Sequence, residues 1–347
     1  MARPFSNDAE FYPTTNYIQF GNGQSVIIDD ARSVFEGEYE RAGRDLQITG
    51  PDGTVYKVID YFAVASPPAI LTTSGATLSG ETVEALAGPA FAGQYAQAGK
   101  SVVAAGKLVN IGKVQTLDGE ATIKRADGSV VKLKVGEQVF QGDVVETAKG
   151  GKVSITFTDG SIFAVSENAR MVLDKLVYDP GGSSNSMLFN LIQGTFSFIA
   201  GKIASTGKME VETPVATMGI RGTTVVASVE AASGATRFSL VNDPDGTTGR
   251  FSIFHKQTGA LIGSLTSTDK SLFVRTITSP PLEIPRDAAS EQSAVDLIYR
   301  AYQDFQRRGD VDVDNNQNPL VQKASYQSSG ISDQPDPSDP LQSFQGS

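Results

Sequence analysis

The chain contains no cysteine and no tryptophan among its 347 residues. Without thiols there is no disulfide framework and no thiolate metal site. Histidine occurs once, at His255, inside "RFSIFHKQTG". A Ser-His-Asp arrangement would have to run through that residue, and the text around it reads as a strand end without a nucleophile elbow. Lys and Arg form no cluster along the sequence, and the net charge is −10 with a pI near 4.7. A nucleic-acid partner, which needs a basic face, is therefore not expected. No apolar run reaches the ~18 residues of a spanning helix, so no transmembrane segment is predicted. The start, "MARPFSNDAEFYPTTNYIQF", has no apolar core of a Sec signal. "GNGQS" is no dinucleotide fingerprint, and no Walker A sequence occurs.

What is present points to strands. Gly reaches 35 residues, and Val, Ile, Thr and Ser are common. This balance favours short strands and tight turns. Residues 1–16 read as a polar lead-in, and 17–66 as an N-terminal β module with a hairpin at Pro51-Asp52-Gly53. Pro67-Pro68 ends it, and 67–106, rich in Gly, Ala and Thr, reads as a connector with at most one short strand. Residues 107–279 form the largest strand-rich block. "KLKVGEQVF" alternates, with Leu133 and Val135 on one face. "KVSITFTDGSIFAV" alternates through Val153, Ile155 and Phe157 and turns at Asp159-Gly160. "LFNLIQGTFSFIAG" is continuously apolar, as a strand buried on both faces would be. Asp-Gly-Ser/Thr units recur at Asp52, Asp127, Asp159 and Asp245, and are expected to make type I′ hairpins.

One helix is predicted over 287–309. Ala294, Leu297, Ile298, Ala301 and Phe305 share a face at helical spacing, Asp287 or Ser290 can cap it, and Glu291 suits its first turn. The polar, proline-bearing stretch 310–347 reads as a disordered acidic tail. Asp310, Asp312 and Asp314 imitate the start of a calcium loop. Asn315 stands where glycine is needed and Val321 where the closing Glu is needed, so an EF-hand is excluded. The expected fold class is all-β, a β-sandwich or β-roll with a smaller N-terminal β module, one C-terminal amphipathic helix and the tail.

One stretch raises a question of its own. "VETPVATMGIRGTTVVASVE" alternates like a strand, yet sets one arginine between Gly219 and Gly222. Both glycines can adopt positive φ or admit a close neighbour. Arg221 is expected either to clamp the bend, against Asp143, Glu146, Asp159 or free carbonyls, or to bind a ligand.

"VSITFTDGSIFAVSENARMVLD", "LIQGTFSFIAG" and "VETPVATMGIRGTTVVASV", in this order, resemble the FecR-domain family. The likeness covers about 142–230, within 107–279. It is carried by Asp159, Gly160, Gly194, Phe198, Pro214, Gly219, Arg221, Gly222 and Thr223, which the resemblance makes structural motif residues. Members with the full architecture regulate iron-transport genes through a cytoplasmic anti-sigma segment, one membrane helix and this domain in the periplasm. Neither of the first two parts is recognisable here. The unit "ERAGRDLQITGPDGTVYKVIDYF" is similar to N-terminal modules of bacterial surface proteins exported by type I secretion. The expectation is therefore a non-enzymatic binding module at the bacterial envelope or surface, for sensing or anchoring. Its partner would be a protein or an envelope component, and its place the periplasm, the cell surface or the medium rather than the cytoplasm. No catalytic, cofactor or metal residue is expected. The alternatives are a regulator of sigma-factor-dependent iron-transport signalling and, second, a carboxylate-based glycan-active enzyme.

Overall fold

A computed structural model describes residues 14–21, 24–89, 109–206 and 208–308. The triplet Asp310, Asp312, Asp314, the tail, most of the lead-in and the second half of the connector lie outside the described residues.

The N-terminal part comprises β1 (Thr15–Ile18), β2 (Val26–Ile28), α1 (Ala31–Glu36), β3 (Glu38–Ala42), β4 (Asp45–Thr49), β5 (Val55–Val58), a 3-10 turn at Tyr61–Ala63, β6 (Ile70–Thr72), β7 (Thr77–Leu78) and α2 (Gly80–Ala87). One sheet has the order β1-β5-β4-β3 and a second β2-β6-β7. The first half of the expected connector is thus structured. Ser79 caps α2 through the amide of Thr82, and Ile70, Leu78, Val83 and Leu86 are buried in the main core. They are too sparse among small residues to show a period.

The larger part contains β8 (Asn110–Asp118), β9 (Ala121–Lys124), β10 (Val130–Lys132), β11 (Gln138–Phe140), β12 (Val144–Thr147), β13 (Lys152–Phe157), β14 (Ile162–Val165), β15 (Arg170–Val177) and β16 (Ser186–Ile199). It continues through α3 (Ile203–Thr206), β17 (Lys208–Glu212), β18 (Thr217–Arg221), β19 (Thr224–Val229), β20 (Thr236–Val241), β21 (Arg250–Phe254), β22 (Leu261–Leu265), β23 (Lys270–Val274), β24 (Leu282–Pro285) and α4 (Ala288–Arg308). "KLKVGEQVF" therefore runs from the last residue of β10, Lys132, through a turn into β11. The chain turns between them at Gly136, whose φ is 87°, and Val135 is exposed.

These strands build two curled sheets. One runs β11-β8-β13-β14-β16-β19-β20-β23-β24. The other runs β10-β9-β12-β15-β16-β17-β18-β21-β22. β16 belongs to both. Its 14 residues pair with β15 and β17 in the first half and with β14 and β19 in the second. This explains why its sequence is apolar on both faces. Between the sheets, Phe163 stacks on Phe198 at 4.7 Å, and Phe157 and Phe189 close around them.

α4 lies on the outer face of the first sheet. Leu297, Ile298 and Ala301 meet Ile162, Ala164 and Ile199, while Ala294 and Val295 meet Val226 and Val241. Polar contacts fix its register. Ser197 Oγ donates to Ala294 O at 2.7 Å and Gln115 Nε2 to Ala301 O at 3.0 Å. Those carbonyls are two helical turns apart, on one face. Asp287 caps the helix through the Ser290 amide. Glu291 does more than suit the first turn: it is buried, accepts from Ser239 Oγ and pairs with Arg286 at 2.7 Å.

Candidate functional site

The Asp-Gly-Ser/Thr units all fold alike. Around Asp159, Phe157 N donates to Ser161 O at 2.9 Å and Gly160 N to Phe157 O at 3.0 Å. The same pair of bonds recurs around Asp52, Asp127 and Asp245. The glycines have φ of 84°, 84°, 86° and 83°, whereas no Asp of the four has positive φ. These are three-residue loops with a glycine bulge, not the expected type I′ turns, which need positive φ at both central residues. In each, the Asp carboxylate accepts from the amide and hydroxyl two residues on.

Asp159 differs from the other three in being buried. Beyond Ser161 N (3.0 Å) and Ser161 Oγ (2.8 Å), it accepts from Ile203 N at 3.3 Å. Its own carbonyl takes Lys202 N, and Ser161 Oγ takes Gly201 N at 2.9 Å. A Cβ on Gly201 would come within 2.4 Å of Ser161 N, so only glycine lets the segments meet. Burial raises the Asp159 carboxyl above its usual range, and these donors pull the other way. Asp159 and Gly160 thus fasten the β13–β14 turn to the chain leaving β16.

The remaining motif residues are also built into the frame. Gly194, at φ 99°, sits where β16 changes sheets. Pro214 O accepts from Thr77 N at 2.8 Å, tying the N-terminal part to the strands. Thr223 is buried, and its Oγ1 accepts from Gly249 N at 3.3 Å. Gly222, at φ 51°, makes the turn from β18 to β19, whereas Gly219 lies within the ladder, opposite Glu210 and Ser252.

Arg221 ends β18, directly opposite Arg250. Its expected carboxylates have other partners. Asp143 pairs with Arg125 and Glu146 with Arg170, and Asp159 is held as described. The reason is distance in the sheet, because β15, β16 and β17 stand between β12 and β18. His255 caps its own turn: Nδ1 accepts from Gln257 N and Thr258 N, both at 3.3 Å.

The junction between the two parts of the chain holds residues that the sequence reading missed. Arg170, buried, donates Nη1 to Gly37 O at 2.8 Å and Phe35 O at 3.2 Å, and pairs through Nε with Glu146 at 2.6 Å. Lys124 Nζ donates to Leu86 O at 2.7 Å and Tyr39 O at 3.3 Å. Burial lowers the Lys124 ammonium below the usual lysine range. Both cations donate to backbone carbonyls of the N-terminal part, Arg170 through Nη1 alone. The one available signal was a charge inside the apolar run "ARMVL". Beside Arg170 opens a cleft of about 550 Å³, lined by Glu36, Pro51, Glu146, Glu167, Arg170 and Gly194 among others. Among the described residues no group of three or more His, Asp or Glu is placed to hold a metal ion, and no helix is long and apolar enough to cross a membrane.

Residues 143–243 match the family model described as FecR protein. This segment is a FecR domain. It spans β12 to β20, with Asp159, Gly194 and Arg221 inside it. Two crystal structures of a protein described as an anti-sigma factor from Parabacteroides distasonis are similar at 12% identity and a TM-score of 0.34. The matches cover 44% of this chain and 64% and 63% of those chains, so this chain spans less than two thirds of their length. A structure described as a cell surface anchoring domain is similar at 33% identity over 18% of this chain and 80% of that one, with a TM-score of 0.17. No curated protein matches the chain.

Proposed function

We propose that the chain is a FecR-type signalling or regulatory module of the bacterial envelope, working by contact with a partner protein rather than by catalysis. One observation carries this reading. Most motif residues of the FecR domain serve turns, caps and strand crossings, with Asp159 saturated by Ser161 and Ile203, while Arg221 is half-buried at the end of β18. What they leave outside is surface, and one concave part of it is the cleft shared by Glu36 and Pro51 with Glu146, Glu167 and Gly194. Clefts at such junctions are common sites of recognition.

Photo-crosslinking in the producing cell tests it. A photoreactive residue at Pro51 or Glu167, both on the cleft, is expected to trap one discrete protein. The same group at the exposed Thr258 is expected not to. Equal trapping at all three positions, or none at the cleft, would refute contact at this place. The identity of the trapped protein separates the finer readings. A sigma factor or iron transporter points to transcriptional signalling, and an envelope or export component points to surface attachment.

A further inference from the structure

β17, β18 and β21 lie side by side in the second sheet. Arg221 and Arg250 are direct cross-strand neighbours. The pairing of Glu210 with Gly219, carried two residues further, sets Lys208 beside Arg221. Residues opposite one another project from the same face. Met209, Val211, Met218, Ile220, Phe251 and Ile253 are buried, so the alternate positions Lys208, Arg221 and Arg250 face outward. Lys208 and Arg250 are exposed and Arg221 is half-buried. Three cations therefore form a row across adjacent strands. Strands lie about 4.8 Å apart, so the row is about 10 Å long.

Like charges set directly opposite disfavour the sheet. In a chain of net charge −10, composition does not account for them. The adjoining outward row is Glu210, Gly219 and Ser252. Its members Gly219 and Ser252 are buried and Glu210 is half-buried. Gly222 turns the chain immediately after Arg221, so the row sits at the rim of the sheet.

We infer that Lys208, Arg221 and Arg250 form a docking row for a carboxylate-rich segment of a partner protein. Two guanidinium forks suit carboxylates in two-pronged contact, and the lysine adds a point charge. A long polyanion such as a nucleic acid would meet the negative field of the whole chain, whereas a short acidic segment meets the row with Glu210 alone beside it. Each of the three cations already has an interaction within the chain, and incoming carboxylates add to or exchange with it. Arg221 between its two glycines is then placed for recognition, by a turn that ends the strand there. The inference rests on the reading of the chain as a protein-binding module and names a second surface, apart from the cleft.

The test is fluorescence anisotropy of a labelled oligoglutamate peptide with the full chain at low salt. Saturable binding is expected. Arg221→Ala, Arg250→Ala and Lys208→Ala are each expected to weaken it by about fivefold or more, with Arg221→Lys retaining part. Glu283→Gln, on the remote strand β24, is expected to change nothing. Melting curves confirm that the variants are folded, and the exposed Arg250 and Lys208 serve where Arg221→Ala is not. Absence of binding, or equal binding by all variants, overturns the proposal. So does full displacement of the peptide by an equal concentration of inorganic phosphate, which would mark a site for bare phosphate instead. If the peptide binds as expected while cleft crosslinking finds no partner, the cleft reading fails and the row stands.

Discussion

A Cβ on Gly194 would stand 2.4 Å from the Cβ of Ala169. The backbone at Gly194 also has φ 99°, outside the range that side chains tolerate. Gly194→Ala is therefore expected to destabilise the fold by on the order of 3 kcal/mol, from contact and strain together. Denaturant unfolding checks it. Adding Ala169→Gly should recover only a part of the contact cost, because the Ala169 Cα also lies 2.6 Å from the added Cβ, and should leave the strain. A single variant as stable as the parent would show that β16 does not need its glycine to change sheets.

Arg170 fixes α1 and β3 to the FecR domain through Phe35 O and Gly37 O. Arg170→Met would leave those carbonyls and Glu146 without their donor, at a cost of roughly 3 kcal/mol. Hydrogen exchange locates the effect. Amides of Phe35 to Tyr39 should exchange faster, with β20 and β23 unchanged. Uniform acceleration would mean that Arg170 supports the whole fold and not the junction.

Ser197→Ala and Gln115→Ala each remove one bond to a carbonyl of α4. Each should cost about 1 kcal/mol in thermal stability. Protease sensitivity should rise within Ala288–Arg308 before it rises in any strand. Earlier cleavage inside Val144–Val229 would contradict the view that α4 is the looser element.

Burial pushes the Asp143 carboxyl up from 3.8 to about 6, against the amide of Phe140 and the charge of Arg125. Its folded form thus holds a proton more tightly than the unfolded chain does. The stability it contributes is complete below about pH 3.8 and is lost as pH rises through about 6. Burial raises Asp159 in the same direction. Melting temperature is expected to fall across this window, and less steeply in Asp143→Asn. Parallel curves for parent and variant would show that Asp143 is not responsible.

The sequence disclosed elements whose cause is local. The hairpin from Lys152 to Val165 follows from alternation plus Asp159-Gly160, and α4 occupies Ala288–Arg308 against the expected 287–309. It concealed what depends on distant partners. Ile70, Leu78 and Val83 have no period of their own and are organised by packing on the larger sheets. Leu133 and Val135 alternated convincingly, yet Gly136 at positive φ breaks the run. Arg170 and Lys124 escaped notice because their partners are backbone carbonyls, which every residue carries. The neighbours of Arg221 are set by strand register across β17, β18 and β21, which no spacing along the chain encodes.

The sharing of β16 bears on how the protein comes apart. Ser186–Asn190 is bonded to β17 while Gly194–Ile199 is bonded to β19. Pulling either sheet away must break the same continuous strand. Neither sheet can melt and leave the other intact, so heat should meet a single cooperative unit, one calorimetric peak whose enthalpy agrees with its van't Hoff value. Folding carries the matching burden: contacts far apart in sequence must close before β16 is held on both sides, which predicts slow refolding.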